Sequence, residues 1–269
     1  MWKWEADGHP KAVIAIIHSA YEHHRWYAWL IEKLRTEGFH VVMGDLPGHG
    51  EQYKYSRFHD EDFEEYRIHT AQVLKVAEEY NLPIFIIGNG LGGLLTLTTL
   101  QKTKIEIAGT ILVSPWINLR KTPGKLSNAL SSLGKLTSNM KLTHDITYEN
   151  ITRNSEIYSE LKDDIPYNNV ITVKWYQELH SQMRLLKNPE FKLKNVPLLL
   201  MSGGQDTISD SSAAKNWFIN NAKQLSNFQY REWPACYHSL YFEVEREEVL
   251  QHSVDFINNT LRALGYIIK

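Results

Sequence analysis

A single cysteine, Cys236, stands in a chain of 269 residues. That excludes an internal disulfide framework and suits a reducing compartment. Neither sign of charge is in excess: the formal net charge is -2, with 22% of residues charged, so no overall field draws the chain to nucleic acid and no nucleic-acid partner is expected. Long apolar runs are lacking too. No stretch approaches the roughly eighteen apolar residues that a membrane span needs, and Met1-Trp2-Lys3-Trp4-Glu5 has nothing like the apolar centre of a signal peptide. A cytoplasmic location is the expectation. No internal repeat or low-complexity tract interrupts the chain, and its length fits one large α/β domain with an insertion better than two small domains.

What is present alternates. Ala12 to Ile17 is a continuous apolar, β-branched run of the kind covered on both faces in a mostly parallel sheet. Helical spacing follows from Tyr27 to Leu34, with Gly38 as its stop, and then a short strand at Val41 to Met43. Asp45-Leu46-Pro47-Gly48-His49-Gly50 demands a loop. Phe63, Tyr66, Val73, Ala77 and Tyr80 share one helical face. Strands are predicted at Ile84 to Ile87, Ile107 to Val113, Val196 to Met201 and Phe228 to Trp233, with helices at Leu91 to Leu100 and around Ala213 to Ala222. A closing helix has Leu250, Val254, Ile257, Leu261 and Leu264 on one face and Gly265 as its stop. The alternation pauses for Trp116 to Asn195, a stretch too long for a structureless loop and without a convincing buried strand. It is expected to be an inserted helical cap, residues 116–195, on an α/β core made of residues 1–115 and 196–269.

The stretch Ile86-Ile87-Gly88-Asn89-Gly90-Leu91-Gly92-Gly93 breaks a strand into glycines and restarts as a helix. In the G-x-S-x-G form of such a turn the middle residue lifts a nucleophilic hydroxyl clear of the backbone; here the middle residue is Gly90. An ordinary strand-to-helix turn is one alternative. A phosphate cradle is another, since Gly88, Gly90 and Gly93 satisfy G-x-G-x-x-G, but the next strand ends at Val113-Ser114-Pro115 without the acidic residue a ribose needs.

Two further signals lie at the C-terminal ends of predicted strands, where open α/β sheets build their sites. Asp206 follows Gly203-Gly204-Gln205, and His238 follows Trp233-Pro234-Ala235-Cys236-Tyr237. Taken alone, Asp206 reads as a turn or N-cap residue and His238 as a structural hydrogen-bonder. Their order changes this: elbow, then acid, then histidine is the order of a triad in which the acid orients the imidazole and the imidazole takes the nucleophile's proton.

At this point the sequence resembles the α/β hydrolases of the monoacylglycerol lipase and lysophospholipase type, including a bacterial lysophospholipase-like branch. The resemblance spans nearly the whole chain. It rests on Met1-Trp2-x-Trp4, His18-x-Ala20-x-Glu22, Gly44 to Gly50, the Gly88 to Gly93 elbow, Lys174-Trp175-Tyr176, Glu178-Leu179, Asp206, Tyr237-His238 and Glu245-Arg246-Glu247. It implies Asp206 as acid, His238 as base and the backbone N–H groups of Ala20 and Leu91 as an oxyanion hole. His18, Ser19, Glu22 and Asn89 would face the substrate pocket. The departures fall where chemistry should be: the family's elbow reads G-H-S-M-G-G, whereas Asn89, Gly90 and Leu91 stand here, Ser19 replaces a usual glycine and Trp26 a common arginine. Several neighbours differ together, which points to natural divergence rather than a single engineered knock-out.

A glycine carries no side-chain oxygen, so no acyl-enzyme forms at position 90. Loss of a triad serine costs about a millionfold in turnover in a well-studied unrelated protease. Glycine also tolerates the elbow backbone, whose strain costs other residues roughly 1–3 kcal/mol. No substitute nucleophile is expected: Cys236 and Ser239 are on the base's own loop, and Ser19 belongs to the oxyanion strand end. No cofactor is implied. A metal is not expected either, since the adjacent side chains of Glu22-His23-His24 diverge and are read as ordering their loop. The stretch Lys121 to Leu142 holds lysines and no acids, with Leu126, Ala129, Leu130, Leu133 and Met140 at helical spacing. It either roofs the core or forms a basic lid that touches lipid or an anionic membrane surface. The expected function is that of a relative of carboxylic-ester hydrolases acting on monoacylglycerols or lysophospholipids, catalytically impaired at Gly90. The alternative is a non-catalytic pseudo-hydrolase that binds a lipid-like ligand or a protein partner.

Overall fold

The computed structural model describes residues 1–50, 58–123, 138–163 and 169–266. Seven strands form the central sheet: β1 (Trp2–Trp4), β2 (Ala12–Ile17), β3 (Phe39–Met43), β4 (Ile84–Asn89), β5 (Gly109–Val113), β8 (Leu198–Gly203) and β9 (Phe228–Trp233). Their spatial order is β1-β3-β2-β4-β5-β8-β9. Every neighbouring pair is parallel except β1 with β3. The apolar run of β2 is buried along its whole length, as a strand with both faces covered requires.

Helices α1 (Ala28–Thr36), α2 (Phe63–Glu78), α3 (Leu91–Leu100), α7 (Ser211–Ala222) and α8 (Arg246–Ala263) alternate with these strands, giving the α/β-hydrolase fold expected from the sequence. All ten residues of α3 are buried, so the helix leaving the elbow runs through the protein interior. The α8 stripe is buried at Val249, Leu250, Val254, Ile257 and Leu261. Leu264, assigned to that stripe from the sequence, instead lies just past the helix end and is exposed, and Gly265 follows at φ 87° as the stop residue.

Between β5 and β8 the chain forms β6 (Lys141–Thr143), α4 (Tyr148–Ile151), α5 (Ser155–Asp163), β7 (Val170–Thr172) and α6 (Val173–Leu186). The antiparallel β6–β7 ladder, with Leu142 opposite Ile171, was not predicted; three residues per strand are too few to show a period of two. Helix α6 buries Trp175, Tyr176, Leu179 and Met183. It is tied to α2 by Trp175 Nε1 donating to Tyr66 Oη at 3.0 Å, and by the Phe63 N–H donating to Glu178 at 2.8 Å. Most of the basic segment Lys121 to Leu142, including Leu126, Ala129, Leu130 and Leu133, lies outside the described residues; Met140 at its end is exposed and Leu142 is buried. Among the described residues no helix is long and apolar enough to cross a membrane.

One topological fact positions the site. β3 and β4 flank β2 on opposite sides, so the winding of the sheet reverses at β2, and the C-terminal ends of β2 and β4 border the crevice where open α/β sheets place ligands. The parallel register pairs Ile17 with Gly88. Two residues further along each strand come Ser19 and Gly90.

Candidate active site

Gly90 caps the N-terminus of α3 with φ 49° and ψ -113°, a backbone conformation that an L-residue holds only under strain. Its N–H donates to the Val113 carbonyl at 2.9 Å, and its carbonyl accepts from the Trp116 N–H at 3.0 Å. The turn is therefore clamped to the end of β5 on both sides. A Cβ built on Gly90 would clash with Ser19 Oγ and stand 2.8 Å from Ser19 Cβ and 2.9 Å from His238 Nε2. The volume that an elbow side chain would fill is occupied by the Ser19 hydroxyl.

Ser19 is held at every polar atom. Its N–H donates to Glu22 Oε2 at 2.9 Å, and its carbonyl accepts from His18 Nδ1 at 2.7 Å. Its Oγ accepts from the Leu91 N–H at 3.1 Å. Of the two expected oxyanion donors, Leu91 is thus engaged with Ser19, while the N–H of Ala20, which is 4% exposed, meets no acceptor among the described residues. Set aside from the sequence as a nucleophile, Ser19 is the hydroxyl that reaches the elbow tip. Cys236 and Ser239 are aimed elsewhere: Cys236 Sγ lies 3.5 Å from Glu245 Oε2, and Ser239 Oγ donates to Glu22 Oε1 at 3.2 Å.

Asp206 and His238 meet although 32 residues separate them. Glycines allow the approach. A Cβ on Gly203 would strike the Tyr237 carbonyl oxygen and one on Gly204 the Pro234 backbone, so the loops after β8 and β9 close together only because neither residue carries a side chain. Backbone bonds from Gly204 N–H to Trp233 O at 2.8 Å and Gln205 N–H to Cys236 O at 2.9 Å seal the contact. His238 Nδ1 then lies 2.8 Å from Asp206 Oδ2.

The carboxylate is fully buried and satisfied. Asp206 Oδ1 accepts from the N–H groups of Ile208 and Ser209 at 2.8 and 3.0 Å, and Oδ2 accepts from the Ser209 hydroxyl. Burial pushes its pKa up, but the facing imidazole and the bonds from His238 and Ser209 outweigh that, and the group sits below the ordinary aspartate value. An ionised carboxylate only accepts, so His238 carries its proton on Nδ1 and presents the Nε2 lone pair towards Gly90. That lone pair has a partner: Trp116 Nε1 donates to it at 3.2 Å.

The other residues expected to face a pocket form the support behind Ser19. Glu22, 2% exposed, accepts from the Tyr27 hydroxyl at 2.6 Å and from Asn89 Nδ2 at 3.1 Å. Burial raises its pKa, and its hydrogen bonds offset only part of that rise. Asn89 points back into this cluster, away from the elbow tip. His18 is fully buried, with Nδ1 donating to Ser19 and Nε2 accepting from the Leu46 N–H at 2.8 Å, so neither ring nitrogen is left for a ligand. Burial lowers its pKa to about 3. His24 turns away to Asp45 at 3.0 Å, diverging from Glu22 as adjacent side chains do. Cys236, Glu243 and Glu245 gather behind the His238 loop, but the Arg153 guanidinium already pairs with both carboxylates.

Trp116, Ser209 and Tyr27 escaped sequence reasoning. Trp116 had a weak signal, directly after the strand-ending Pro115 at the same sheet edge. Ser209 had one too, three residues beyond Asp206 in a polar turn. Tyr27 had none, being one apolar position among many in its helical segment.

The sequence profile of the family described as "Serine aminopeptidase, S33" matches residues 8–245. Phospholipase YtpA of Bacillus subtilis is 36% identical over 253 residues, covering 93% of this chain and 96% of its own. Among solved structures, the monoacylglycerol lipase of Paleococcus ferrophilus superposes with a TM-score of 0.79 at 24% identity, covering 96% of this chain and 98% of its own. A soluble variant of monoglyceride lipase from Saccharomyces cerevisiae, in complex with a substrate analog, gives 0.80 at 18% identity, covering 96% and 90%. The last two likenesses carry the fold alone.

Proposed function

The chain belongs to the serine aminopeptidase S33 family of α/β hydrolases, with relatives of the monoacylglycerol lipase and phospholipase type, and on that premise we propose that it recognises a lipid-like carboxylic ester at the Gly90–His238 face while residue 90 itself forms no acyl-enzyme. The ester class is that of monoacylglycerols and lysophospholipids, bound through the acyl chain. In this reading Asp206 is the acid, His238 the base and Ala20 the open oxyanion donor, with Leu91 joining it only when its N–H is released from Ser19 Oγ, and residues 116–195 are a cap over the site. The cap's basic end is the part that would touch a membrane from the cytoplasmic side.

One observation carries the reading. The dyad is assembled at 2.8 Å beside an elbow whose backbone is set for a nucleophile, yet Gly90 offers only a hydrogen and Ser19 fills the space. The test pairs binding with restored chemistry. A non-hydrolysable monoalkylglycerol ether is expected to raise the melting temperature of the native chain. Moving the serine back, as Gly90→Ser with Ser19→Gly, is expected to yield hydrolysis of a p-nitrophenyl ester that depends on His238. A native chain indifferent to the ether, together with a folded but inert double variant, would sink the proposal.

A further inference from the structure

The residue that fills the elbow is itself a serine, and the space it enters is bordered by His238 Nε2. We propose that Ser19 supplies the nucleophilic hydroxyl to His238, so that the acyl-enzyme of this protein forms on the loop after β2 instead of on the elbow. The inference rests on the reading that a lipid-like ester reaches this face.

Four relationships carry it. First, the position of a Gly90 Cβ lies within contact distance of both Ser19 Oγ and His238 Nε2. The hydroxyl and the base therefore border the same small space, with no side chain of residue 90 between them. Second, the imidazole is held in the tautomer a base needs, because its Nδ1–H donates to Asp206 Oδ2 at 2.8 Å. Third, the Leu91 N–H, at the positive end of the ten-residue helix α3, donates to Ser19 Oγ at 3.1 Å and favours negative charge on that oxygen. Fourth, Ser19 is fixed on both sides of its Cα, by Glu22 on its N–H and by His18 on its carbonyl. A nucleophile preset in this way loses little freedom on reacting. Parallel register is the origin of the arrangement, since Ile17 opposite Gly88 brings residue 19 alongside residue 90.

The chemistry closes without a further reagent beyond ester and water. The Ser19 Oγ–H proton passes to His238 Nε2 as Oγ bonds to the ester carbonyl carbon, and the π pair moves to the carbonyl oxygen. As that pair returns, the carbon–alkoxide bond breaks and the leaving alcohol takes the proton from Nε2. Water then attacks the acyl-Ser19 ester, giving its proton to Nε2. The carbon–Oγ bond breaks, Ser19 is reprotonated from Nε2, and the fatty acid leaves. Ala20 N–H, without an acceptor among the described residues, is the donor available to the carbonyl oxygen. Trp116 Nε1–H must leave His238 Nε2 when that nitrogen becomes protonated, because both would then be donors.

An alkyl fluorophosphonate tests this on the native chain. Oγ bonds to phosphorus, fluoride leaves, and the hydroxyl proton goes to the base. Fragmentation of the tryptic peptide from Ala12 to Arg25 is expected to place the phosphonyl group on Ser19. The labelling rate is expected to fall by about a hundredfold or more in His238→Ala. In Ser19→Ala the label should vanish while the melting transition is kept. An unlabelled native chain, a label on Tyr21 or Ser239, or a Ser19 label indifferent to His238→Ala would overturn the inference. The monoalkylglycerol ether separates the two proposals. If the ether binds and Ser19 stays unlabelled, the nucleophile assignment falls and the lipid-ester reading stands; if Ser19 is labelled through His238 and the ether does not bind, the reverse holds.

Discussion

The indole N–H of Trp116 donates to His238 Nε2 at 3.2 Å, on the one nitrogen through which the imidazole can act as a base. Trp116 is fully packed, 1% exposed, and its own backbone N–H is tied to the Gly90 carbonyl. The base is therefore masked by a residue that the elbow holds in place. Trp116→Phe keeps the aromatic packing and removes the donor. Phosphonylation by a fluorophosphonate is expected to speed up about 2- to 10-fold, the worth of one net hydrogen bond. Intact-mass time courses would measure it, and an unchanged or slower rate would show that the indole does not restrain the base.

The Ser19–Gly90 pair is expected to behave as one unit. Gly90→Ser alone places a side chain at φ 49° and onto Ser19. Strain and overpacking should together destabilise the fold by about 2–4 kcal/mol. Adding Ser19→Gly vacates the space and should recover the overpacking part. Urea unfolding of both single variants and the double would reveal a coupling energy of about 1–3 kcal/mol; additive effects would mean the two side chains do not compete for one volume.

Glu22 is buried beneath the Ser19 loop and collects the Ser19 N–H, the Tyr27 and Ser239 hydroxyls and the Asn89 amide. Glu22→Ala strips all four donors of this acceptor. A loss of about 2–4 kcal/mol is expected from the unsatisfied groups. The release of Ser19 should appear separately, as faster exchange of its amide hydrogen. A neutral outcome in both measurements would mean water replaces the carboxylate.

Acid should unfold this protein through its buried histidines. Burial lowers the pKa of both His18 and His144 from 6.5 to about 3. Their folded pKa is depressed, so the unfolded chain binds the extra protons first. The stabilisation is complete above pH 6.5 and is lost as pH falls from there towards 3, at up to about 1.4 kcal/mol per pH unit for each ring. His144 is fully buried with neither nitrogen hydrogen-bonded among the described residues, so His144→Phe should flatten the slope without removing a bond. Urea midpoints between pH 8 and 4 would check it; identical slopes in the native chain and the variant would refute the assignment.

Much of the architecture was legible locally. The wholly apolar run at Ala12 to Ile17, the stripe of α8 and the glycine break at Gly88 to Gly93 each state their structure within a few residues, because burial on both faces, helical period and tight turns leave short-range patterns. The β1, β6 and β7 strands left none, being three residues long. The acid and the histidine could be singled out by chain order alone, since strand-end loops converge on one edge of an open parallel sheet.

What the sequence by itself determined is thus the fold, the family resemblance and the missing elbow hydroxyl at Gly90. Only the tertiary structure decided what stands in its place. Ser19 and Gly90 are 71 positions apart in the sequence, and no periodicity relates them. They meet because β2 and β4 pair in a register that sets Ile17 against Gly88, and a glycine at position 90 leaves room for the neighbouring strand's side chain. Trp116 reaches His238 for the same kind of reason: β5 lies beside β4, and its end hydrogen-bonds to the elbow. Side-chain chemistry is written residue by residue, whereas the sharing of one small volume by two strands is a property of register, which a chain acquires only when it folds.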